Sequence, residues 1–277
     1  ILGLAKIGAT VGLINTSLRG KPLIHCISIT ESTKCLFGEE LAVAITEVKS
    51  ELSLSDNDYL WVKDTGFETG TGIAPEWAFD FSALVDDMPT DNPPETEQIT
   101  AGEKAMYIFT SGTTGFPKGA ELSHSNMTMN ALGSRHLLQL TPDDIHCIVL
   151  PLFHSFGQTC QMNAGFSTGN TLVMIPKFTP DVVLSAIQND GATVFAGVPT
   201  MYWALLNYED KDGAFDNEKI AKTLRVGISG ASSLPLEIIK GIEKKYHIPI
   251  LEGYGLSETC PVATFSHLNK ARKPGSI

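Results

Sequence analysis

Cysteine is scarce and unpaired in this chain. Cys26, Cys35, Cys147, Cys160 and Cys260 are odd in number and form no C-x-x-C pair. Neither a zinc site nor a disulfide framework is expected, and a reducing compartment is the default. No run of about 18 apolar residues occurs, so no spanning helix is predicted, and no signal peptide is visible. These absences predict a cytoplasmic protein, with peripheral membrane contact left open. Basic residues are also few: 20 Lys and Arg against 31 Asp and Glu leave a formal net charge of −11. That is the wrong sign for generic nucleic-acid binding, which neutralises phosphates with Lys and Arg. Residues 51–100 hold twelve Asp and Glu against one Lys, Lys63, and read as a solvated acidic surface. The chain also lacks an initiating Met. It opens inside the apolar segment ILGLAKIGATVGLIN and stops at KPGSI, ends that predict an internal piece of a longer protein.

What is present is enough for a sizeable core: 277 residues, 43% of them hydrophobic. The first hundred residues offer a short helix over 1–8, a buried strand in ATVGLIN, an amphipathic helix in GEELAVAITEVKSEL and a strand in DYLWVKD. A long connection follows over 65–100, with one helical turn near Phe81 to Val85. After Glu103 the rhythm changes. Strands in AMYIFTS, DIHCIVLPL, TLVMIP, ATVFAGVP, LRVGISG and IPILEGYG alternate with helices in SHSNMTMNALGSRHLL, FGQTCQMNAGFSTG, TPDVVLSAIQNDG, TMYWALLN and PLEIIKGIEKKYH. Such alternation predicts an α/β fold of parallel sheets flanked by helices. It divides the chain into a first α/β subdomain over 1–104 and a second α/β subdomain over 105–277.

Four loops follow predicted strands, where ligands of parallel sheets bind. The first, in YIFTSGTTGFPKG, holds Thr110, Ser111, Gly112, Thr113, Thr114, Gly115 and Lys118. Glycine lets backbone N–H groups approach an anion, and hydroxyls add donors, so phosphate is the expected ligand. The G-x-x-x-x-G-K-[ST] template does not fit: from Gly112 onward the chain supplies Pro117, Lys118 and Gly119, with no hydroxyl after the Lys. The other loops are PLFHSFG, with His154 and Phe156; SGASSLP, with Gly230 and Ala231; and GYGLSE, with Gly253, Tyr254, Gly255, Ser257 and Glu258.

YIFTSGTTGFPKG closely resembles the phosphate-binding signature of the adenylate-forming superfamily, which includes acyl-CoA synthetases, peptide-synthetase adenylation domains and luciferases. GYGLSE is similar to that superfamily's Tyr-Gly-x-Thr-Glu motif, with Ser257 in the Thr position. SGASSLP resembles its adenine-side Ser-Gly-Gly-Ala-Pro-Leu loop, and PLFHSFG its aromatic/His motif beside the acyl pocket. Within the superfamily, the stretch from Pro151 to Phe178 reads like bacterial long-chain acyl-CoA ligases. The opening segment resembles the fatty-acid transport protein branch.

The resemblance implies the fold of the core of such an enzyme's large N-terminal domain. It also implies an activity: ATP-dependent conversion of a fatty acid to an acyl-adenylate, then transfer to CoA, with Mg²⁺ as the metal. On this reading Thr110, Ser111, Gly112, Thr113, Thr114, Gly115 and Lys118 hold the phosphates, with Lys118, Glu258 and Thr110 catalytic. Glu258 binds Mg²⁺, Ser257 meets the α-phosphate and Tyr254 stacks on adenine. Gly230, Ala231, Gly253 and Gly255 leave room for the nucleotide. His154, Phe156, Met162, Gly197 and Tyr202 border an apolar acyl channel, in which Gly197→Leu would shorten the preferred acid. Tyr202 and Trp203 also stand at core spacing. His25, His124, His136, His146, His247 and His267 carry no ligand spacing and read as structural. The superfamily's downstream ribose-binding Asp, hinge and C-terminal domain with its catalytic Lys have no match here, so the fragment alone is expected to be inactive. Two alternatives stay open: an adenylating ligase for an aryl or short-chain acid, and a non-catalytic nucleotide-binding or interaction module.

Overall fold

In a computed structural model, residues 1–64, 70–110 and 115–277 are described. They fall into two compact units, Ile1–Ser123 and His124–Ile277. The first carries α1 (Leu2–Ala5), β1 (Val11–Leu13), α2 (Gly20–Ile29), β2 (Cys35–Gly38), α3 (Ala42–Val48), β3 (Tyr59–Val62), β4 (Phe79–Asp80), α4 (Phe81–Val85), β5 (Lys104–Thr110) and β6 (Lys118–Ser123). Strands β2, β3 and β4 form a parallel sheet. Leu23 and Ile27 of α2 and Ala44, Ile45 and Val48 of α3 close over its Phe37, Tyr59 and Trp61. The helical turn expected near Phe81 is α4, started by Asp80, whose carboxylate accepts the Ser82 N–H at 2.9 Å.

The second sheet of this unit pairs β5 parallel to β1 and antiparallel to β6. Strand β6 was not expected from the sequence, which runs the Gly-rich loop straight into a helix. A polar ladder across the pair accompanies the strand. Tyr107 stands opposite Glu121, its hydroxyl accepts from Lys104 Nζ at 2.7 Å and donates to Glu121 at 3.0 Å, and Lys104 meets Glu121 at 2.8 Å. The compact units therefore part at Ser123/His124, and β5 and β6, which the sequence places in a subdomain beginning at 105, pair with β1.

The second unit carries α5 (His124–Leu138), β7 (Ile145–Ile148), a π-helix (Phe156–Asn163), α6 (Ala164–Phe166), β8 (Thr171–Met174), α7 (Pro180–Gln188), β9 (Val194–Gly197), α8 (Pro199–Leu206), α9 (Asn217–Thr223), β10 (Val226–Ser229), α10 (Leu236–Tyr246), β11 (Ile250–Gly255) and β12 (Val262–Phe265). The strand order is β12-β11-β10-β9-β7-β8. All neighbours run parallel except the edge strand β12, which is antiparallel to β11. Both faces are covered, as parallel sheets require. On one face Val194, Ala196, Val226, Ile228 and Leu251 pack with Phe156 and Cys160 of the π-helix. On the other, Cys147, Phe195 and Ile250 pack with Val183 of α7, Tyr202 of α8 and Ile239 of α10.

A buried carboxylate ties the starts of three strands together. Asp144, 3% exposed, precedes β7. It receives Arg225 Nε at 2.6 Å and Nη2 at 2.8 Å from the residue before β10, and Thr193 Oγ1 at 2.7 Å from the residue before β9. The Thr141 N–H adds a fourth bond at 2.8 Å. Burial raises the Asp144 pKa, but the bonds from Arg225, Thr141 and Thr193 outweigh it and hold the carboxyl below its ordinary value. Asp144→Ala leaves the guanidinium without its bidentate partner and should cost about 3 kcal/mol, read as a lower urea midpoint at unchanged m-value. His146, fully buried on β7, supplies a pH test. Burial lowers its pKa to about 4, with Asp144 opposing the shift. The unfolded chain therefore binds the proton first, so stability is full above about pH 6.5 and falls as the pH drops towards 4. His146→Leu should flatten the pH slope of stability across that window.

Candidate active site

Because β7, β9, β10 and β11 are parallel, their carboxyl ends lie along one edge of the second unit's sheet. Three of the four singled-out loops leave from that edge. Register aligns them: Gly197 stands opposite Ser229, and Ser229 opposite Glu252. The edge thus gathers His154, Gly197, Gly230, Ala231, Gly253, Tyr254, Gly255, Ser257 and Glu258.

The turn after β11 is built tightly. A Cβ on Gly255 would lie 1.8 Å from the Pro261 carbonyl oxygen, so no side chain fits there. The Leu256 N–H donates to that same oxygen at 3.0 Å, Thr259 N–H to Leu256 O at 3.1 Å and Cys260 N–H to Ser257 O at 3.1 Å. Ser257 and Glu258 ride on this closed turn. Glu258 is exposed, and Tyr254 is 54% exposed at the end of its strand. Asn130 of α5 holds the turn's far limb: its Nδ2 donates to Thr259 O at 3.0 Å and Val262 O at 3.2 Å, and its Oδ1 accepts the Val262 N–H at 3.3 Å. Beside this clamp lies a cavity of about 350 Å³, lined by Ser125, Met129, Gly133, Glu258 and Val262 among others.

At the end of β10, Gly230 is in contact with the π-helix: a Cβ there would meet the Phe156 ring at 3.0 Å. Ala231 has φ +71, the left-handed region that costs an L-residue roughly 1–2 kcal/mol. The superfamily loop resembled by SGASSLP has Gly at this position. His154 begins the turn into the π-helix, and its Nδ1 accepts the Phe156 N–H at 3.2 Å. That bond places the proton of the neutral ring on Nε2. His154 is exposed at the surface, yet the protein packed against its ring desolvates it enough to lower its pKa, which favours the neutral form.

The acyl channel proposed from the sequence is divided by the sheet. Phe156 packs on the face of Gly230, Val194 and Ile228, and Met162 lies further along the same π-helix. Tyr202 lies on the opposite face, 1% exposed, its hydroxyl donating to Ile228 O at 2.9 Å. Gly197 faces that side too: a Cβ would meet the Phe195 ring at 3.0 Å and Met201 Cβ at 3.5 Å. Tyr202 is therefore a core residue and not a wall shared with Phe156. A side chain at Gly197 would press first on the Phe195 ring. Trp203, grouped with Tyr202 at core spacing, is 59% exposed.

The first loop belongs to the first unit. Ser111, Gly112, Thr113 and Thr114 lie outside the described residues. Thr110 and Lys118 face each other as an antiparallel pair, so the loop closes a hairpin and does not lead into a helix. Thr110 Oγ1 donates to Lys118 O at 3.4 Å. Lys118 is exposed, Gly115 has φ +150, and Phe116 stacks on His25 with centroids 4.9 Å apart. His25 Nε2 also meets Pro117 O at 3.0 Å. His25 thus anchors the loop's returning limb. It escapes sequence reasoning because 92 residues separate it from Pro117, as Asn130 does because its partners are backbone atoms 129 and 132 residues away.

Comparison with known proteins gives the family and the fold. Residues 1–277 match the family described as AMP-binding enzyme. The Bacillus subtilis protein YngI, provisionally named an acyl-CoA synthetase, is 30% identical over 96% of this chain and 50% of its own length. A long-chain-fatty-acid–CoA ligase of the same organism is 34% identical over 62% of this chain and 30% of its own. The crystal structure of the anthranilate CoA ligase AuaEII with anthranoyl-AMP superimposes with a TM-score of 0.86 at 22% identity, covering 99% of this chain and 50% of that one. The chain thus spans about half the length, or less, of the relatives it matches.

The strain at Ala231 is open to test. Ala231→Gly should relieve the left-handed penalty, less the entropy glycine loses on folding, and stabilise by roughly 0.5 kcal/mol. Ala231→Val should destabilise by about 1 kcal/mol or more. Chemical unfolding of both variants checks the sign.

Proposed function

The chain belongs to the AMP-binding enzyme family, and from that membership we propose that it forms the core of an ATP-dependent acyl-CoA ligase. The observation that carries the reading is the gathering of Gly230, Tyr254, Ser257 and Glu258 at the carboxyl edge of one parallel sheet, where nucleotides bind such folds. The acid is proposed to be a fatty acid, an assignment supported by the similarity to a long-chain-fatty-acid–CoA ligase. The likeness to an anthranilate CoA ligase keeps an aryl acid as the second reading.

The chemistry brings two anions together, a carboxylate and the triphosphate of ATP, so positioning and charge neutralisation dominate. Lys118 contributes a compact positive charge at the mouth of the hairpin loop, and Thr110 a hydroxyl beside it. Exposed Tyr254 offers a ring for the base to stack on. Neutral His154, with its proton on Nε2, offers a hydrogen-bond donor to the acid's carboxylate. Among the described residues no cluster of three or more His, Cys, Asp or Glu could hold a metal alone. Exposed Glu258 instead suits Mg²⁺ shared with phosphate oxygens, since this ion takes one or two carboxylates and keeps the rest of its shell from substrate and water. Bound there, Mg²⁺ would offset charge on the phosphates. Displacement of pyrophosphate gives an acyl-adenylate, whose acyl group passes to the CoA thiol with release of AMP. Among the described residues no helix is long and apolar enough to cross a membrane.

The test is ATP–pyrophosphate exchange by the full-length protein carrying this chain, run over fatty, aryl and short-chain acids. Exchange should be strongest with a fatty acid. Lys118→Ala and Glu258→Gln should each lower it on the order of 10²-fold. Strongest exchange with an aryl acid would select the second reading. Absence of exchange with every acid would leave a non-catalytic module.

A further inference from the structure

The turn that presents Ser257 and Glu258 is internally rigid, yet one side of it borders open space. Bonds from Leu256 to Pro261, Thr259 to Leu256 and Cys260 to Ser257 close it on itself. The cavity of about 350 Å³ lies between it and α5, with Glu258, Thr259 and Val262 on its wall. Packing from the α5 side is therefore incomplete where the turn most needs a fixed orientation. Asn130 crosses that gap. It spends both amide N–H groups on Thr259 O and Val262 O and its carbonyl on the Val262 N–H, at 3.0, 3.2 and 3.3 Å. These partners follow Glu258 by one and four residues, on the limb that returns into β12.

We propose that Asn130 is a positioning residue for adenylation, fixing the angle at which the Ser257–Thr259 turn offers the Glu258 carboxylate. The inference rests on the reading of Glu258 as the magnesium ligand. A side chain this short on a fifteen-residue helix acts as a strut: its reach is set, and both donors and the acceptor are committed to one short backbone segment. Removing it leaves two carbonyls and one N–H facing the cavity, where water can bind them but cannot fix their direction. The turn then tilts as a unit, because its own internal bonds survive. The expected phenotype is weaker use of Mg²⁺ in a protein whose acid recognition is intact.

The experiment is ATP–pyrophosphate exchange by the full-length protein, titrated separately with Mg²⁺, ATP and the acid, for Asn130→Ala, Glu258→Gln and the double variant. Asn130→Ala should lower exchange 10- to 100-fold, the range for residues that orient a metal ligand. It should also weaken Mn²⁺ binding to the ATP-bound protein, read by electron spin resonance without acid, raise the Mg²⁺ concentration giving half-maximal rate, and leave the KM for the acid unchanged; Mn²⁺ binding as tight as in the unsubstituted protein would overturn the proposal. In the Glu258→Gln background the same substitution should change exchange by less than about threefold, because the carboxylate it orients is gone. If the two substitutions multiply independently, Asn130 acts through general stability and the proposal is overturned. If Glu258→Gln by itself leaves exchange intact, the reading of Glu258 fails, and the positioning role fails with it. Should Asn130→Ala not fold, Asn130→Asp decides the same question, because it keeps the volume and the Oδ1 acceptor but loses both N–H donors.

Discussion

One buried ion pair does most to set the geometry of the second unit. Asp144 and Arg225 meet at the amino ends of β7 and β10, and Thr193 brings in β9 between them. Strands that start level and run parallel also finish level. The clamp at one edge of the sheet therefore fixes the row of loop origins at the other. Desolvating a carboxylate is costly, and here the cost is offset by five hydrogen bonds, counting a long one from the Thr141 hydroxyl, that no single hydrophobic replacement could imitate. Stability and site geometry are thus separated in space, with the charge buried at one edge and the exposed Tyr254 and Glu258 at the other.

Much of this was legible from the sequence where the pattern is local. The alternation of strands and helices after Glu103 is a short-range signal, and β7 through β11 lie where it indicates. What escaped is non-local. Strand β6 is a strand because Tyr107 and Lys104 pair with Glu121 across a hairpin, and nothing within KGAELS announces that. Helix α2 is disguised by Gly20 and Pro22, although proline is well tolerated in a first turn.

The candidate site divides in the same way. Motif residues such as Gly230, Tyr254, Ser257 and Glu258 announce themselves by composition and order. The partners that orient the neighbouring segments, Asn130 and His25, bind backbone carbonyls and therefore leave no complementary residue to find. The grouping of Tyr202 with Phe156 on one wall misleads for a further reason. Phe156 and Tyr202 both follow strand ends, but the chain crosses from one face of the sheet to the other between them, and apolar composition carries no record of the face on which a helix will land.

The π-helix has a consequence for how this segment tolerates insertions and deletions. Between Phe156 and Asn163 the backbone is wound with about one residue more per turn than an α-helix, as in the bond from the Ala164 N–H back to Thr159 O. Every residue from Phe156 to Met162 is buried. Losing one residue here would not simply shorten the element. It would let the α-helical pitch return and turn everything on one side of the deletion by about 100° relative to the other. His154 and Phe156 would then face different neighbours while Ala164 and Gly165 stayed in place. A single-codon change in this stretch acts as a rotation of the rim against its support, so length, more than residue identity, is the property of the segment that has least freedom to drift.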